Sequence, residues 1–266
     1  MTRVTKTATG INWALLLMLS FFVSLRGFAQ GPSDWRLDKM PADLETDYAL
    51  SSLPPHLRND ATVYLLDPQK GYYVGRQGSN GYICFVERTD WEWGEFRDDV
   101  STAISFDAEG ARTIFPVCMD VAAMRASGKY LATQIRDSII HGINTGVYKA
   151  PSKPGISYML SPVMRVYPGG PDIKQPITVS MPHYMLYAPY LSPKDARYKE
   201  GTNGMFLANP DNAILGDGKG PFGFIIIPAG EKEKAVIVED GKDLLGRLAA
   251  YKAYFKTEAG SEHHHM

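Results

Sequence analysis

Long apolar runs are scarce in this chain, and only the N-terminal one approaches the length of a membrane span. The run over residues 11–25 follows Arg3 and Lys6 and precedes a Gly-Phe-Ala end at 27–29, which together make the three parts of a secretory signal. Because a spanning helix needs ~20 apolar residues, we favour cleavage over an uncleaved anchor. The sequence therefore predicts a signal peptide over residues 1–29 and a secreted or periplasmic protein with no membrane span after signal removal.

A strong excess of charge of either sign is also missing. Without its first 29 residues, the 266-residue chain keeps 237 residues and loses three of its 28 basic ones, which leaves 25 bases against 29 acids. Proteins bind phosphate backbones through basic faces, and this mildly acidic composition does not supply one. We therefore expect no nucleic-acid partner.

Cysteine is rare, since Cys84 and Cys118 are the only two in the chain. They lack the Cys-x-x-Cys spacing of metal and redox motifs, and no histidine lies close to them in sequence. An even pair in an exported protein usually forms a disulfide, so we expect Cys84 and Cys118 to be bonded to each other. A reactive thiol pair or half of a metal site is the alternative interpretation.

The common catalytic and metal-binding motifs are absent from the sequence. It has no His-Glu-x-x-His motif, no EF-hand loop and no glycosylation triplet. Residues 155–159 fall one glycine short of a nucleophile elbow, and residues 216–220 have the glycines of a phosphate loop without its spacing. The histidines at 263–265 would bind a metal only weakly without preorganised partners. We therefore predict no metal site and no cofactor, and the catalytic residues stay unknown.

Short strands are the main structural signal in the sequence. The Asn80-Gly81 pair, favoured in hairpin turns, separates two apolar runs and predicts an antiparallel meander that carries Cys84. Helical periodicity over residues 119–146 and 243–255 supplies flanking helices. We predict a single α+β domain over residues 30–266, with a mostly antiparallel sheet, flanking helices and one disulfide. The predicted strands cover residues 61–66, 72–76, 82–87, 103–106, 112–116, 154–162, 177–190 and 222–227.

Residues 90–99 alternate aromatic and acidic side chains. One interpretation is an exposed aromatic platform for a sugar or a cation. The other is a loop held down by its aromatic rings while its acids face water, and we favour it because aromatic side chains are mostly buried.

The candidate binding residues come from the two central runs. His183 interrupts an apolar strand, and strand alternation places His183 and Tyr187 on one face. We hypothesise a ligand pocket lined by Tyr158, His183 and Tyr187, with residues 191–220 as a lid. An aromatic core cluster, with hydroxyl groups bonded to the backbone, is the favoured alternative.

Several short elements stand out along the chain, among them Asn-Gly-x-x-Cys at residues 80–84, Tyr-Met-Leu at 158–160 and Pro-His-x-Met at 182–185. Together they resemble a family of exported bacterial proteins of unknown function. The similarity spans roughly residues 53–190. It implies export and the cysteine pair, and it implies no activity or ligand.

Two functions remain as expectations from the sequence. The first is a non-catalytic exported domain that binds a small molecule or an envelope partner, because the familiar catalytic motifs are missing. The alternative is a hydrolase or isomerase in which His183 acts as general base near Ser157 or Tyr158.

Overall fold

The computed structural model describes residues 37–96, 100–168, 173, 175–192, 194, 196–197, 206–208 and 220–256. The predicted signal peptide, much of the predicted lid and the histidines at 263–265 lie outside the described residues. Among the described helices, none is both long and apolar enough to cross a membrane.

The described strands form one large mixed sheet and a separate two-stranded sheet. The large sheet has the order β2-β1-β3-β4-β5-β8-β10-β9, and β6 pairs with β7 in the small one. Every neighbouring pair is antiparallel except β1 and β3. The predicted mostly antiparallel sheet is confirmed. The strands are β1 (Thr62–Asp67), β2 (Gly71–Arg76), β3 (Ile83–Glu87), β4 (Thr102–Phe106), β5 (Ile156–Met159), β6 (Met164–Val166), β7 (Ile177–Val179), β8 (His183–Tyr187), β9 (Phe206–Ala208) and β10 (Phe224–Pro228).

Helices cover both faces of the large sheet, as predicted. One face carries α1, which packs on β1, β3 and β4, and α7, which packs on α1. The other face carries α4 and α5. The α-helices are α1 (Ala42–Ser51), α2 (Pro55–Arg58), α3 (Ala108–Thr113), α4 (Phe115–Ser127), α5 (Ala132–Asn144), α6 (Glu231–Asp240) and α7 (Lys242–Tyr251), and a 3-10 helix covers Ala253–Phe255.

The predicted antiparallel meander is wrong, because β3 lies beside β1 and runs parallel to it. The segment between β2 and β3 is held against the start of β1 instead of closing a hairpin. The Ser79 amide donates to the Asp60 carbonyl at 2.7 Å, and the Asn80 side chain donates to the Leu57 carbonyl at 2.8 Å. These hydrogen bonds hold the chain against the start of β1. The next strand, β3, then pairs with β1 on the side opposite β2.

Three further segments form helices that the sequence pattern did not predict. The connection between the predicted strands at 103–106 and 112–116 forms α3, because the Asp107 carboxylate accepts hydrogen bonds from the Glu109 and Gly110 amides at 3.0 and 2.9 Å. The predicted strand over 112–116 gives way to the end of α3 and the first turn of α4. Residues 231–234 begin α6, whose first turn places two acids near the positive end of the helix dipole.

The predicted disulfide is also wrong, since both cysteines are free. Cys84 belongs to the hydrophobic cluster on the α1 face of the sheet, whereas Cys118 lies on α4 and packs against the cluster on the other face. The sheet therefore separates the two sulfur atoms. A disulfide needs Cα atoms within ~7 Å, and two cysteines on opposite faces of a sheet do not meet that condition without moving the backbone.

Candidate ligand-binding site

The three predicted pocket residues do not share one surface. Tyr158 pairs with Tyr184 across β5 and β8, and both rings lie on the α1 face with centroids 5.8 Å apart. His183 and Tyr187 alternate with Tyr184 along β8 and lie on the opposite face, where Tyr187 packs against the second cluster. The structure therefore brings His183 and Tyr187 to one face and leaves Tyr158 on the other.

His183 lies in the protein interior. Only 2% of its surface is exposed, and its Nδ1 atom is 2.7 Å from the Met181 carbonyl oxygen. Burial lowers the pKa of the imidazole, which favours the neutral form. Ser157, the nearby hydroxyl that the sequence suggested, is fully buried, and its Oγ atom has no hydrogen-bond partner. The structure thus contains no hydrogen bond between His183 and Ser157.

Tyr187 is part of a hydrogen-bonded junction. Its hydroxyl donates to Asp107 Oδ1 at 2.9 Å and lies 3.2 Å from the Ile156 carbonyl oxygen. The other oxygen of Asp107 accepts the Ile156 amide at 2.9 Å. These are contacts of the kind expected for an aromatic core residue with a satisfied hydroxyl.

A cavity of about 230 Å³ lies between the sheet and α4, on the face that also carries His183. Its walls come from the middle strands of the sheet, from the start of α4 and from residues 222–224. Trp91, Thr102 and Cys118 complete the wall together with two carboxyl side chains. The apolar lining consists of Ile104, Phe106, Ile114, Val117, Met159, Val166, Met185, Phe222 and Phe224. We call this space the apolar cavity.

Glu87 and Glu92 are the two carboxyl side chains on this wall. Burial raises the pKa of Glu87 to about 8, with the nearby charge of Asp90 as a further cause. Burial also raises the pKa of Glu92 well above its ordinary value, and a hydrogen bond with Asp90 and the charge of Glu87 add to the effect. Both shifts favour the protonated form of these side chains.

The acidic–aromatic segment positions Glu92. Trp91 is 8% exposed and joins the hydrophobic cluster beside α4, as the interpretation of a loop held by its aromatic rings expected. With Trp91 fixed inside, the half-buried Glu92 lines the cavity wall. A second cavity of about 250 Å³ adjoins the first and shares Glu87 and Glu92 with it. The polar Thr89 and Asp90 and the aromatic Trp93 and Tyr167 also line this second space.

Cys118 places a thiol group on the wall of the site. The thiol lines the apolar cavity, and burial raises its pKa well above the ordinary value, followed by the charges of Glu87 and Glu92. The thiol is therefore neutral and a poor nucleophile at neutral pH. Among the described residues, no group of three or more His, Cys, Asp or Glu side chains is arranged to hold a metal ion.

Comparison with known proteins gives no family or function. No protein-family model matches the chain, and neither the curated proteins nor the solved structures contain a significant match. The resemblance to exported bacterial proteins thus stays an expectation, and the site must be judged from its own chemistry.

Sequence reasoning missed Glu87 and Glu92 as site residues. The available signal was the position of Glu87 at the end of an apolar strand, followed after two residues by the acids and tryptophans of the next segment. Strand periodicity alone does not show that Glu87 and Glu92 line the same cavity. Their common position on its wall depends on how Trp91 packs against α4.

Proposed function

We propose that this protein binds a compact organic cation, an amine with an apolar body, in the apolar cavity. The observation that carries the proposal is the pair of half-buried carboxyl groups, Glu87 and Glu92, on a wall that is otherwise mainly hydrophobic. Ligand sites in proteins commonly combine an apolar lining with a few polar groups that fix orientation. The proposal is one of binding, with no reaction.

The size of the cavity limits the ligand. At ~30 Å³ for each water molecule, a space of about 230 Å³ has room for roughly eight non-hydrogen atoms. A linear or branched amine with six or seven carbon atoms fits this limit. Its body would contact the side chains of the sheet, such as Met159 and Met185, and its ammonium group would lie at the two glutamates.

The protonation of the two carboxyl groups indicates a positively charged ligand. A protonated carboxyl pair in an apolar wall loses its proton when a cation arrives, because the opposite charge favours the ionised form. Trp91 adds an aromatic ring to the same wall, and aromatic rings attract cations. Binding of an amine is therefore expected to release protons from Glu87 and Glu92.

The enzyme alternative, with His183 as general base, has weaker support. His183 is almost fully buried and Ser157 Oγ has no hydrogen-bond partner, so the described geometry supplies no activated hydroxyl. The binding proposal needs only the cavity and its carboxyl groups.

Hexylamine and 1-hexanol, which have the same number of non-hydrogen atoms, test the role of the charge. We expect hexylamine to bind at least about tenfold more tightly than 1-hexanol in isothermal titration calorimetry, because only the amine can form an ion pair with the glutamates. Titration in buffers of different ionisation enthalpy should show proton release with the amine alone.

Glutamine variants test whether the two glutamates cause the preference for the amine. Glu87→Gln/Glu92→Gln should abolish the preference for the amine, whereas Glu239→Gln on the exposed side of α6 should leave it unchanged. Bound hexylamine should also slow alkylation of Cys118, with the fully buried Cys84 as an internal reference. Equal binding of the amine and the alcohol, or full binding by the double variant, would disprove the proposal.

A further inference from the structure

A larger cavity lies on the other face of the sheet, away from the apolar cavity. It is a groove of about 500 Å³ between α1 and α2 on one side and α6 and α7 on the other. Its apolar surface comes from all four helices and from the turn after β5. The main apolar residues are Leu50, Leu53, Leu160, Pro162, Ile237 and Leu244.

The helix α6 leaves hydrophobic side chains uncovered at this groove. None of its residues is fully buried, and Val236 has 58% of its surface exposed. Most helices in globular proteins owe their stability to an apolar face packed on the rest of the protein. An apolar run on a helix that buries no residue, at the edge of a groove, has the properties of a surface for another molecule.

The charges around the groove are mainly negative. Four carboxylates line it, from Asp47, Glu233, Asp240 and Asp243, against two guanidinium groups. Arg247 is already engaged, since its nitrogen atoms lie 2.6 Å from Asp47, 2.9 Å from Asp43 and 3.9 Å from Asp243. Arg58 lies near Asp240, and its Nε donates to the Leu53 carbonyl at 2.8 Å. The lining thus carries an excess of two negative charges, which matches a basic partner.

We propose that this groove docks an amphipathic basic helix of a partner protein. The apolar side of such a helix would cover Val236, Ile237 and Leu244, and its Lys or Arg residues would face Asp240 and Asp243. Proteins that bind helices in grooves use this combination of apolar anchors and complementary charge. A second copy of this chain is a poorer occupant, because two acidic grooves repel each other. The proposal is independent of ligand binding in the apolar cavity.

A fluorescent 18-residue helical peptide of Leu and Lys tests the proposal, with a Leu and Glu peptide of the same pattern for comparison. Fluorescence anisotropy at ~0.15 M salt should show that the Leu/Lys peptide binds at least about tenfold more tightly than the Leu/Glu peptide. Asp240→Asn/Asp243→Asn should weaken this binding at least about fivefold. The matched double variant Asp120→Asn/Asp137→Asn, on α4 and α5, should leave it unchanged.

A second variant tests the apolar contacts. Val236→Ser changes a mostly exposed side chain, so the fold should remain intact while the affinity for the Leu/Lys peptide falls at least about threefold. Equal weakening by the two double variants would mean attraction to general negative charge and would overturn the proposal. Self-association that is lost in Val236→Ser, seen by sedimentation, would assign the groove to a second copy instead. Hexylamine binding should be the same in all of these variants, which separates this result from the proposed ligand function.

Discussion

Glu45 shows how a single buried carboxyl group ties a helix to the sheet. It lies on α1 with only 2% of its surface exposed, and its Oε1 atom accepts the Leu66 amide of β1 at 2.8 Å. Burial raises the pKa of Glu45 to about 7, although the bond from Leu66 opposes the shift. Glu45 on one face and Glu87 on the other are therefore both easier to bury when protonated.

We expect the contributions of Glu45 and Glu87 to the free energy of unfolding to decrease as the pH rises from about 5 to about 9. A carboxyl group with a raised folded-state pKa stabilises the fold most below its unfolded pKa, and that stabilisation is lost as the pH rises through the folded value, about 7 for Glu45 and about 8 for Glu87. Urea denaturation across this range measures the change. Glu45→Gln should remove up to ~3 kcal/mol of the decrease, whereas the exposed Glu239→Gln should not. A pH-independent stability would contradict the burial of these carboxyl groups.

At the scale of elements, one aspartate joins four segments of the chain. Asp107 follows β4, caps α3, accepts the first amide of β5 and accepts the hydroxyl of Tyr187 on β8. Gly155 allows this junction, because a Cβ atom there would lie 2.4 Å from Asp107 Oδ2 and 2.5 Å from the Tyr187 ring. The junction joins the end of β4 to the start of β5 and the end of β8, in the middle of the sheet.

Removal of the Asp107 carboxylate should destabilise the fold strongly. We expect Asp107→Ala to cost about 2–4 kcal/mol of unfolding free energy, since it removes a helix cap and leaves buried donors without a partner. Asp107→Asn should cost less, because the amide oxygen can still accept. Asp67→Ala, which removes one bond to the Gln69 amide in an exposed turn, is the matched control and should cost ~1 kcal/mol or less. Urea unfolding of the three variants measures these losses. Equal losses of unfolding free energy for Asp107→Ala and Asp67→Ala would contradict the structural role of the Asp107 junction.

The sequence predicted elements whose pattern is local and missed those that depend on tertiary contacts. The apolar runs of β1, β5, β8 and β10 are visible as strands, and Ile135 and Ile139 mark the buried side of α5. The parallel pairing of β3 with β1 depends on the bond from Asn80 to Leu57, which a hairpin motif does not reveal. The wall of the cavity depends in the same way on the packing of Trp91.

At the scale of the molecule, the large sheet divides two hydrophobic clusters. The cluster on the α1 face contains Val63 and Leu248, and the cluster on the α4 face contains Phe85 and Ile139. The proposed helix groove and the apolar cavity lie on these separate faces. Side chains on opposite faces share few neighbours, so each site can be changed without the other.

Double-mutant cycles test this separation. Val63→Ala and Ile139→Val, on opposite faces, should lower the free energy of unfolding additively to within ~0.5 kcal/mol. Phe85→Leu and Phe115→Leu form the comparison pair, because their ring centroids are 4.9 Å apart, and their effects should deviate from additivity by more than that. Strong coupling between Val63 and Ile139 would show that the two clusters behave as one.

The packing of the 3-10 helix has a consequence for biosynthesis. Phe255 is 1% exposed, and its ring contacts that of Tyr48 on α1 edge to face, with centroids 5.8 Å apart. A chain is made from its N-terminus, so α1 leaves the ribosome about two hundred residues before the side chain that covers it. Until residues 253–255 emerge, Tyr48 and its neighbours must stay unfolded, be covered by other contacts or be held by a chaperone. The cluster on the α1 face is thus completed only after residue 255 has been made.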